Sequence, residues 1–275
     1  MANLQCKPIS LNTCISPFRV IDAELGVIDV PCQKCYMCKR RRVLGWAFRL
    51  EQQLKVSSSQ SFITLTYNTD TLPILDNLQH TLNPDDITIF MKRLRNYNDK
   101  KLKYYVCGEY GDDTKRPHYH MLLYNAKIDT IQKAWDKGIV HYGNVEMPSI
   151  VYALKYIMKP GRIPEFNGDK RQKEFQRMSK GLGANYVTEA VKNYHLSDLV
   201  ENNHITFLDG KKAAMPRYYK NLIYSEYKRK SLNKLIEIKR SNTILETDET
   251  LIKNHYEAVN RNIKIQSLKI KKDKL

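Results

Sequence analysis

The chain has 275 residues, which is enough for one large domain or for a catalytic domain with appendages. It carries 46 lysine and arginine residues against 29 aspartate and glutamate residues, a formal net charge of +17 at pH 7. This excess favours a polyanionic partner, first of all nucleic acid, and the lack of any apolar run of membrane-spanning length argues against an integral membrane protein. Because the N-terminal residues also lack the form of a signal peptide, we expect a cytosolic protein.

Cysteines are concentrated near the N-terminus, in what we expect to be an arm covering residues 1–38. Cys32, Cys35 and Cys38 have the C-x2-C-x2-C spacing that can ligate zinc or part of a cluster, with Cys6 or Cys14 as a fourth ligand. A disulfide framework is not expected in a reducing compartment. The alternative is a set of reduced, partly buried cysteines that bind no metal.

A basic helix is predicted next, over residues 39–57, because apolar residues recur at helical spacing from Val43 to Leu54. Its first turns contain Arg40, Arg41 and Arg42, and cations at this end oppose the helix macrodipole. Contact with phosphate would favour them, although a charge run that simply faces solvent is the commoner explanation.

A strand and a second helix follow. The alternation of residues 61–67 predicts a strand with Phe62 and Thr64 on one face. Asn83 and Pro84 then supply an N-cap and a first helical position. Apolar residues between positions 87 and 94 predict that this helix packs on the sheet.

Two strand-like runs, 102–110 and 118–124, are predicted to form a hairpin that turns near Asp113. Successive side chains on a strand point to opposite faces, so His118 and His120 share one face. In the hairpin register Glu109 lies opposite His118 on that face. Two imidazole nitrogens and one carboxylate oxygen, with coordination positions left open, are typical of a catalytic metal site. Two half-exposed surface histidines are the alternative.

A tyrosine-bearing helix is predicted over residues 150–159, after a short helix near Trp135 and a strand within residues 138–147. Tyr152 and Tyr156 are four residues apart, so their phenols emerge from the same helical face. Lys155 beside them could hold a phosphate or favour a phenolate. In a chain with 18 tyrosines, paired core tyrosines are the alternative.

Hairpin-linked strands alternating with helices indicate an α+β fold, with a central antiparallel β-sheet and flanking helices that we expect on one side of it. The catalytic core is expected to cover residues 39–160. Residues 161–225 are expected to form an accessory loop, at 162–180, followed by helices at 187–199 and 217–239 and a small hairpin near Asp209. Residues 226–275 are interpreted as a basic tail that is either helical or disordered.

Together these motifs resemble those of the HUH endonucleases, most closely the rolling-circle replication initiators of small single-stranded DNA bacteriophages of the microvirus (gokushovirus) type. The strand at 62–67, the histidine strand and the tyrosine helix stand in the order of that family, and the cysteine cluster before a basic helix and residues 216–219 are also similar. The resemblance covers most of residues 30–220. Where relatives tend to show a Pro-Gly-Ile-Gly turn, this chain has Lys180-Gly181-Leu182-Gly183, which lacks the proline.

The resemblance implies an HUH fold with a palm similar to ferredoxin-like and RRM domains, followed by an α-rich C-terminal extension. It implies a metal-dependent tyrosine endonuclease and DNA strand transferase. Such an enzyme nicks single-stranded DNA at the origin of a circular replicon through a 5′-phosphotyrosine intermediate and religates the displaced strand. By this resemblance His118, His120 and Glu109 hold Mg2+ or Mn2+, Tyr152 and Tyr156 are the nucleophiles, and Lys155 orients the phosphate.

The resemblance also implies partners and a location. The partners are single-stranded origin DNA together with host DNA polymerase and helicase, in the cytoplasm of the bacterial host. We expect Arg116, Lys159 and the basic residues Arg40, Arg41 and Arg42 to contact DNA. Zn2+ is the metal expected at the N-terminal cysteines if they bind one.

Three alternatives stay open at this point. The first is a plasmid or transposon HUH relaxase or transposase. The second is a non-catalytic, zinc-containing nucleic-acid-binding protein, in which His118 and Tyr156 are scaffold residues. The third is a non-haem iron oxygenase, which shares the two-histidine, one-carboxylate ligand set but predicts no affinity for a polyanion.

Overall fold

The computed structural model describes residues 14, 16–23, 26–158 and 163–245. These residues form two compact units, one built from positions 46–185 and the other from positions 1–45 together with 186–275. The secondary-structure elements, in chain order, are β1 (Phe18–Asp22), β2 (Gly26–Val30), α1 (Tyr36–Val56), β3 (Gln60–Leu65), α2 (Pro84–Asn96), β4 (Lys103–Tyr110), β5 (Pro117–Tyr124), α3 (Ile128–Ala134), β6 (Val140–Gly143), α4 (Met147–Met158), β7 (Phe175–Met178), α5 (Glu189–Ser197), β8 (His204–Thr206), β9 (Lys212–Ala214), α6 (Arg217–Ile223) and α7 (Glu226–Leu245).

The centre of the 46–185 unit is a five-stranded sheet in the order β6-β3-β5-β4-β7. All four of its strand pairs are antiparallel, which confirms the predicted α+β fold with a central antiparallel sheet. Strand β5 is the middle strand and is hydrogen-bonded to β3 on one side and to β4 on the other. A strand paired on both edges cannot slip in register without breaking two ladders, so its side chains have fixed directions.

One face of this sheet packs on α2 and α3 and forms the main hydrophobic core. Helix α2 begins as the sequence predicts, with the Asn83 side chain accepting a hydrogen bond from the Asp85 N–H and Pro84 in the first helical position. Its buried apolar side chains meet alternate residues of the central strands, among them Tyr119 and Met121 of β5. The residues between these two on β5 therefore point to the opposite face.

Helices lie on both faces of the sheet, which corrects the expectation that they lie on one side. Helix α4 packs on the second face, where the Cys107 thiol of β4 lies 3.8 Å from the carbonyl oxygen of Ala153. The Trp46 ring of α1 also contacts Tyr105 of β4, with ring centroids 5.5 Å apart. Residues 105, 107 and 109 of a strand share one face, so both helices flank the face that carries Glu109.

Residues 162–180 are not simply the loop that we expected, because they contain the edge strand β7, which pairs with β4. This strand is only four residues long and gives too short an alternation to be recognised from sequence. The predicted helix at 217–239 is instead two helices, α6 and α7, separated at Tyr224 and Ser225. The Ser225 hydroxyl accepts a hydrogen bond from the Lys228 N–H, which is a helix-starting contact within the expected helix.

The other unit contains two short hairpins. The predicted hairpin near Asp209 is formed by β8 and β9. The β1–β2 hairpin was not predicted, and its turn includes Gly26 at a φ of +70°, a conformation that glycine adopts without strain. Helices α5 and α6 are present, and α7 extends to Leu245, so the rest of the expected tail, from residue 246 on, lies outside the described residues. No helix in the described part of the chain combines the length and apolar composition needed to cross a membrane.

Candidate metal centre and tyrosine helix

The β4–β5 hairpin brings the three predicted metal ligands together. Glu109 of β4 pairs directly with His118 of β5, as the sequence predicts, and His120 lies two residues further along the same face. The Nε2 atoms of His118 and His120 lie 3.0 Å and 2.9 Å from the same atom, Oε1 of Glu109. Glu109 and His120 are buried and His118 is partly buried, so this cluster is not a set of surface histidines.

The second nitrogen of each imidazole is also engaged. The Nδ1 atom of His118 lies 3.2 Å from the carbonyl oxygen of Arg116, which can only accept, so Nδ1 carries the proton. In a neutral ring this leaves the lone pair of Nε2 facing the Glu109 carboxylate, and only a cation between the two, either a second proton or a metal ion, makes that contact favourable. The Nδ1 atom of His120 lies 2.9 Å from the Thr64 hydroxyl of β3.

The electrostatics of this cluster suit a divalent cation. Burial lowers the pKa of His120 below its ordinary value, which keeps the imidazole neutral and able to act as a ligand. Burial has the largest effect on Glu109 and acts to raise its pKa, but hydrogen bonds from His118, His120 and Tyr156 together outweigh it and lower the pKa. A carboxylate and two neutral imidazoles form a metal-ligand set with positions left open. These three residues could therefore hold a metal ion.

Helix α4 places the tyrosine pair against this cluster. Its apolar residues Ile150, Ala153 and Leu154 are buried, so the turn-related Tyr152 and Tyr156 are directed to one side. Their ring centroids lie 6.1 Å apart, and both rings contact His120, at 5.3 Å and 5.9 Å between centroids. The Tyr156 hydroxyl donates a hydrogen bond to Oε1 of Glu109, the atom that both histidines contact.

The two tyrosines have different surroundings. Burial and the neighbouring charge of Glu109 raise the pKa of Tyr156, so its phenol is protonated at neutral pH while that hydrogen bond is present. Tyr152 is 39% exposed. The Lys155 ammonium lies 3.4 Å from the centroid of the Tyr152 ring and 5.3 Å from that of Tyr156. Lys155 is therefore adjacent to both phenols, as its position in the sequence predicts.

Two residues of β3 complete this site and had no functional assignment in the sequence. The Thr64 hydroxyl contacts His120, as described above, and the Phe62 ring stacks on His120 at 5.7 Å between centroids. Phe62 also meets the edge of the Tyr152 ring at 6.0 Å. The alternation of residues 61–67 predicts that Phe62 and Thr64 share a face, but which strand lies beside β3 is decided by long-range pairing.

The basic residues expected at DNA are placed as follows. Arg40, Arg41 and Arg42 lie in α1, with Arg40 and Arg42 exposed and Arg41 partly buried. Arg116 precedes β5, and its guanidinium donates a hydrogen bond to the carbonyl oxygen of Tyr67 at 2.7 Å. Lys159 lies outside the described residues. The contacts of these residues with DNA stay a prediction.

A second group of possible metal ligands lies in the other unit. The thiols of Cys32, Cys35 and Cys38 are joined there by the thiol of Cys14, with all four sulfur atoms within 4.8 Å of one another. Of the two candidates for a fourth member, Cys14 is therefore the one that the described structure brings into the cluster. Cys6 lies outside the described residues.

The sheet and the site define an α+β protein with a candidate metal centre beside a tyrosine-bearing helix, and sequence comparison narrows this class. Residues 60–161, which carry the whole candidate site, match the family model of the ORF2-type replication-associated proteins. The chain is similar to the replication-associated protein ORF2 of Spiroplasma virus 4, at 28% identity over 222 residues that cover 72% of this chain and 69% of the relative.

Two further relatives come from phages of other bacterial hosts. The replication-associated protein VP4 of Bdellovibrio phage phiMH2K is 27% identical over 230 residues, which cover 73% of this chain and 69% of the relative. The replication-associated protein ORF4 of Chlamydia phage 1 is 27% identical over 223 residues, which cover 70% of this chain and 53% of the relative. These matches confirm the resemblance to phage replication initiators that the motifs indicated. No solved structure gives a comparable match.

Proposed function

We propose that this chain acts in phage replication as an HUH-type endonuclease, which nicks single-stranded origin DNA by forming a 5′-phosphotyrosine bond. The observation that carries the proposal is the hydrogen bond from the Tyr156 hydroxyl to Glu109, on the oxygen that His118 and His120 also contact. It puts a potential nucleophile at the candidate metal-ligand set. The similarity to replication-associated proteins of three phages supports the biological setting.

The metal set and the tyrosines have separate roles in this proposal. When bound by Glu109, His118 and His120, Mg2+ or Mn2+ supplies Lewis-acid polarisation of a phosphate oxygen. The phenol oxygen of Tyr152 or Tyr156 attacks phosphorus, a P–O bond forms to tyrosine, and the bond to the 3′ oxygen breaks. The phenol gives up its proton in this step and the departing 3′ oxygen gains one. Lys155 neutralises charge on the phosphate beside the two phenols.

Two tyrosines on one helical face permit the reaction to run twice. The tyrosine ester conserves the free energy of the phosphodiester bond, so a free 3′-OH can attack it and restore a DNA strand. After one round of synthesis by a host polymerase, the second tyrosine cleaves the regenerated origin and the released 3′-OH closes the displaced strand into a circle. This sequence needs single-stranded origin DNA, a host helicase and the cytoplasm of the bacterial host.

The test is a denaturing gel assay with labelled single-stranded origin DNA of the cognate phage, in Mn2+ or in EDTA. We expect a protein–DNA adduct that survives denaturation, requires the metal, and is absent from the Tyr152→Phe, Tyr156→Phe double variant. Each phenylalanine keeps the ring packing and removes only the hydroxyl. Tyr97→Phe is the matched control, because Tyr97 caps α2 on the opposite face of the sheet and is exposed.

The single variants rank the two phenols, since the one that cuts first is needed for any adduct with intact origin DNA. If the double variant still forms the adduct, the tyrosine assignment is wrong. If the unaltered protein binds the DNA tightly but gives no adduct with any divalent metal, the nuclease proposal fails. The chain would then be a non-catalytic nucleic-acid-binding protein.

A further inference from the structure

The four clustered cysteines lie at positions that join two elements of the 1–45 segment. Cys14 precedes β1 and Cys32 follows β2, so these two flank the hairpin. Cys35 immediately precedes α1, and Cys38 lies in the first turn of that helix. A bond network among these thiols therefore links both ends of the hairpin to the start of the helix.

The sulfur atoms have the spacing of ligands around a single ion. A tetrahedron with Zn–S bonds of about 2.3 Å has S···S edges of about 3.8 Å. The Sγ atoms of Cys14 and Cys35 lie 3.8 Å apart, and all four Sγ atoms lie within 4.8 Å of one another. Iron–sulfur clusters hold their cysteines on different iron atoms and therefore farther apart, so the spacing favours a mononuclear site.

The backbone supports sulfur atoms that carry negative charge. The Cys32 N–H donates to Sγ of Cys14 at 3.2 Å, and the Cys35 N–H donates to Sγ of Cys32 at 3.2 Å. Such N–H···S bonds orient metal-bound thiolates and stabilise their charge. All four cysteines are free thiols in the structure, and three of them are buried.

We propose that Cys14, Cys32, Cys35 and Cys38 bind a structural zinc ion in a closed, four-thiolate site. Four protein ligands leave no position for substrate, in contrast to the open set of Glu109, His118 and His120. The zinc site is thus separate from the nuclease chemistry proposed above and does not depend on it.

The hairpin itself gives a reason for such a site. Ile21 is 87% exposed, Val27 65% and Phe18 57%, so β1 and β2 bury little apolar surface of their own. An isolated two-stranded hairpin is at best marginally stable in water. A zinc ion that joins the residues at its two ends supplies the stabilisation that a core provides elsewhere.

The charge of the site also accounts for the basic run that follows it. Zn2+ with four thiolates carries a net charge of −2, and it lies at the N-terminal end of α1. The first turn of α1 contains no acidic residue, and Lys39, Arg40, Arg41 and Arg42 come directly after Cys38. Cations at this end are unfavourable to a helix, and an adjacent anionic centre offsets that cost.

The test uses the full-length protein carrying His118→Ala and His120→Ala, so that zinc at the other candidate site does not contribute. We expect an equimolar amount of zinc by elemental analysis after purification without added metal. Cys14→Ser should remove it, whereas Cys6→Ser, the matched control from the same arm, should retain it. Retention in Cys14→Ser with loss in Cys6→Ser would overturn the ligand assignment.

A spectroscopic measurement keeps the test decisive if a cysteine variant fails to fold. Co2+ exchanged into the protein should give intense sulfur-to-cobalt charge-transfer absorption and the visible bands of tetrahedral coordination. Cobalt on imidazole and carboxylate ligands lacks the charge-transfer absorption. Purified protein that contains iron in place of zinc, or cobalt-treated protein without sulfur bands, would refute the proposal.

Discussion

At the scale of single residues, one oxygen atom organises the candidate site. Oε1 of Glu109 has three close partners, which are the Nε2 atoms of His118 and His120 and the Tyr156 hydroxyl. A carboxylate oxygen has about two lone-pair directions, so three hydrogen bonds to it are not all well directed. A metal ion has no such directional limit at oxygen, and the same convergence suits ion binding.

Thr64 should tune metal binding through His120, which its hydroxyl contacts. Thr64→Val keeps the shape and removes the hydrogen bond to Nδ1, so the imidazole is less well oriented. We expect about tenfold weaker Mn2+ binding by calorimetry, the lower end of the effect seen for such outer partners. Mn2+ prefers oxygen and nitrogen ligands, which minimises binding at the cysteines.

Thr66→Val is the control for that measurement. Its hydroxyl donates to the carbonyl oxygen of Ile139 and does not bond to a histidine. Equal Mn2+ affinity in the Thr64 and Thr66 variants would mean that Thr64 has no orienting role.

Residues close in sequence were predictable at this scale and residues brought in by distant strands were not. The pairing of Glu109 with His118 follows from a tight hairpin, and the shared face of Tyr152 and Tyr156 follows from helical periodicity. The contact of Thr64 with His120 spans 56 positions and depends on the pairing of β3 with β5. Local pattern carries no information about that choice.

At the scale of elements, the turn that departs from the Pro-Gly-Ile-Gly pattern packs closely on α1. Gly181 and Gly183 have φ values of +68° and +71°. Between them, the carbonyl oxygen of Leu182 accepts a hydrogen bond from the Arg49 guanidinium at 3.0 Å. The glycines that the chain keeps are therefore those that the backbone requires, and the missing proline does not prevent the turn.

Gly183→Ala should be strongly destabilising. A Cβ atom at this position would lie 2.4 Å from the carbonyl oxygen of Arg49, which belongs to a helix and cannot move freely. The positive φ adds its own strain. We expect a loss of about 2–4 kcal/mol in the free energy of unfolding, measured by urea denaturation.

Gly168→Ala separates these two causes. Gly168 has a φ of +86°, but nothing lies within 4 Å of the added Cβ, so only backbone strain, about 1 kcal/mol, should be lost. If both variants lose the same stability, the close approach to Arg49 contributes nothing.

The elements that sequence analysis missed are short ones supported from outside. Strand β7 has four residues, and it is held by pairing with β4, whose sequence is some 70 positions earlier. The β1–β2 hairpin has mostly exposed side chains, so it lacks the buried-and-exposed alternation that identifies a strand. The long elements α1, α2, β4 and β5 were predictable because each has a buried face.

At the scale of the whole molecule, the net charge of +17 predicts strongly salt-dependent binding of single-stranded DNA. With about five phosphates contacted, affinity should fall roughly a hundredfold between about 50 and 200 mM NaCl. Fluorescence anisotropy over a salt series measures the slope. If Arg42 contacts a phosphate, Arg42→Ala should reduce the slope by about 0.7.

Arg95→Ala provides the comparison, because Arg95 is an equally charged, exposed residue of α2, on the face of the sheet away from the tyrosine helix. It should change the slope little. An affinity independent of salt would show that the positive charge has no part in binding DNA.

The central position of β5 has a consequence for how the site survives fluctuations. Amides on a strand paired on both edges exchange with solvent only when a large part of the sheet opens. His118 and His120 therefore sit in the part of this unit that opens last, and their arrangement outlasts fraying of the edge strands β6 and β7. A substitution anywhere in the core of this unit that raises the population of open molecules will lower metal occupancy in the same proportion, without touching a ligand.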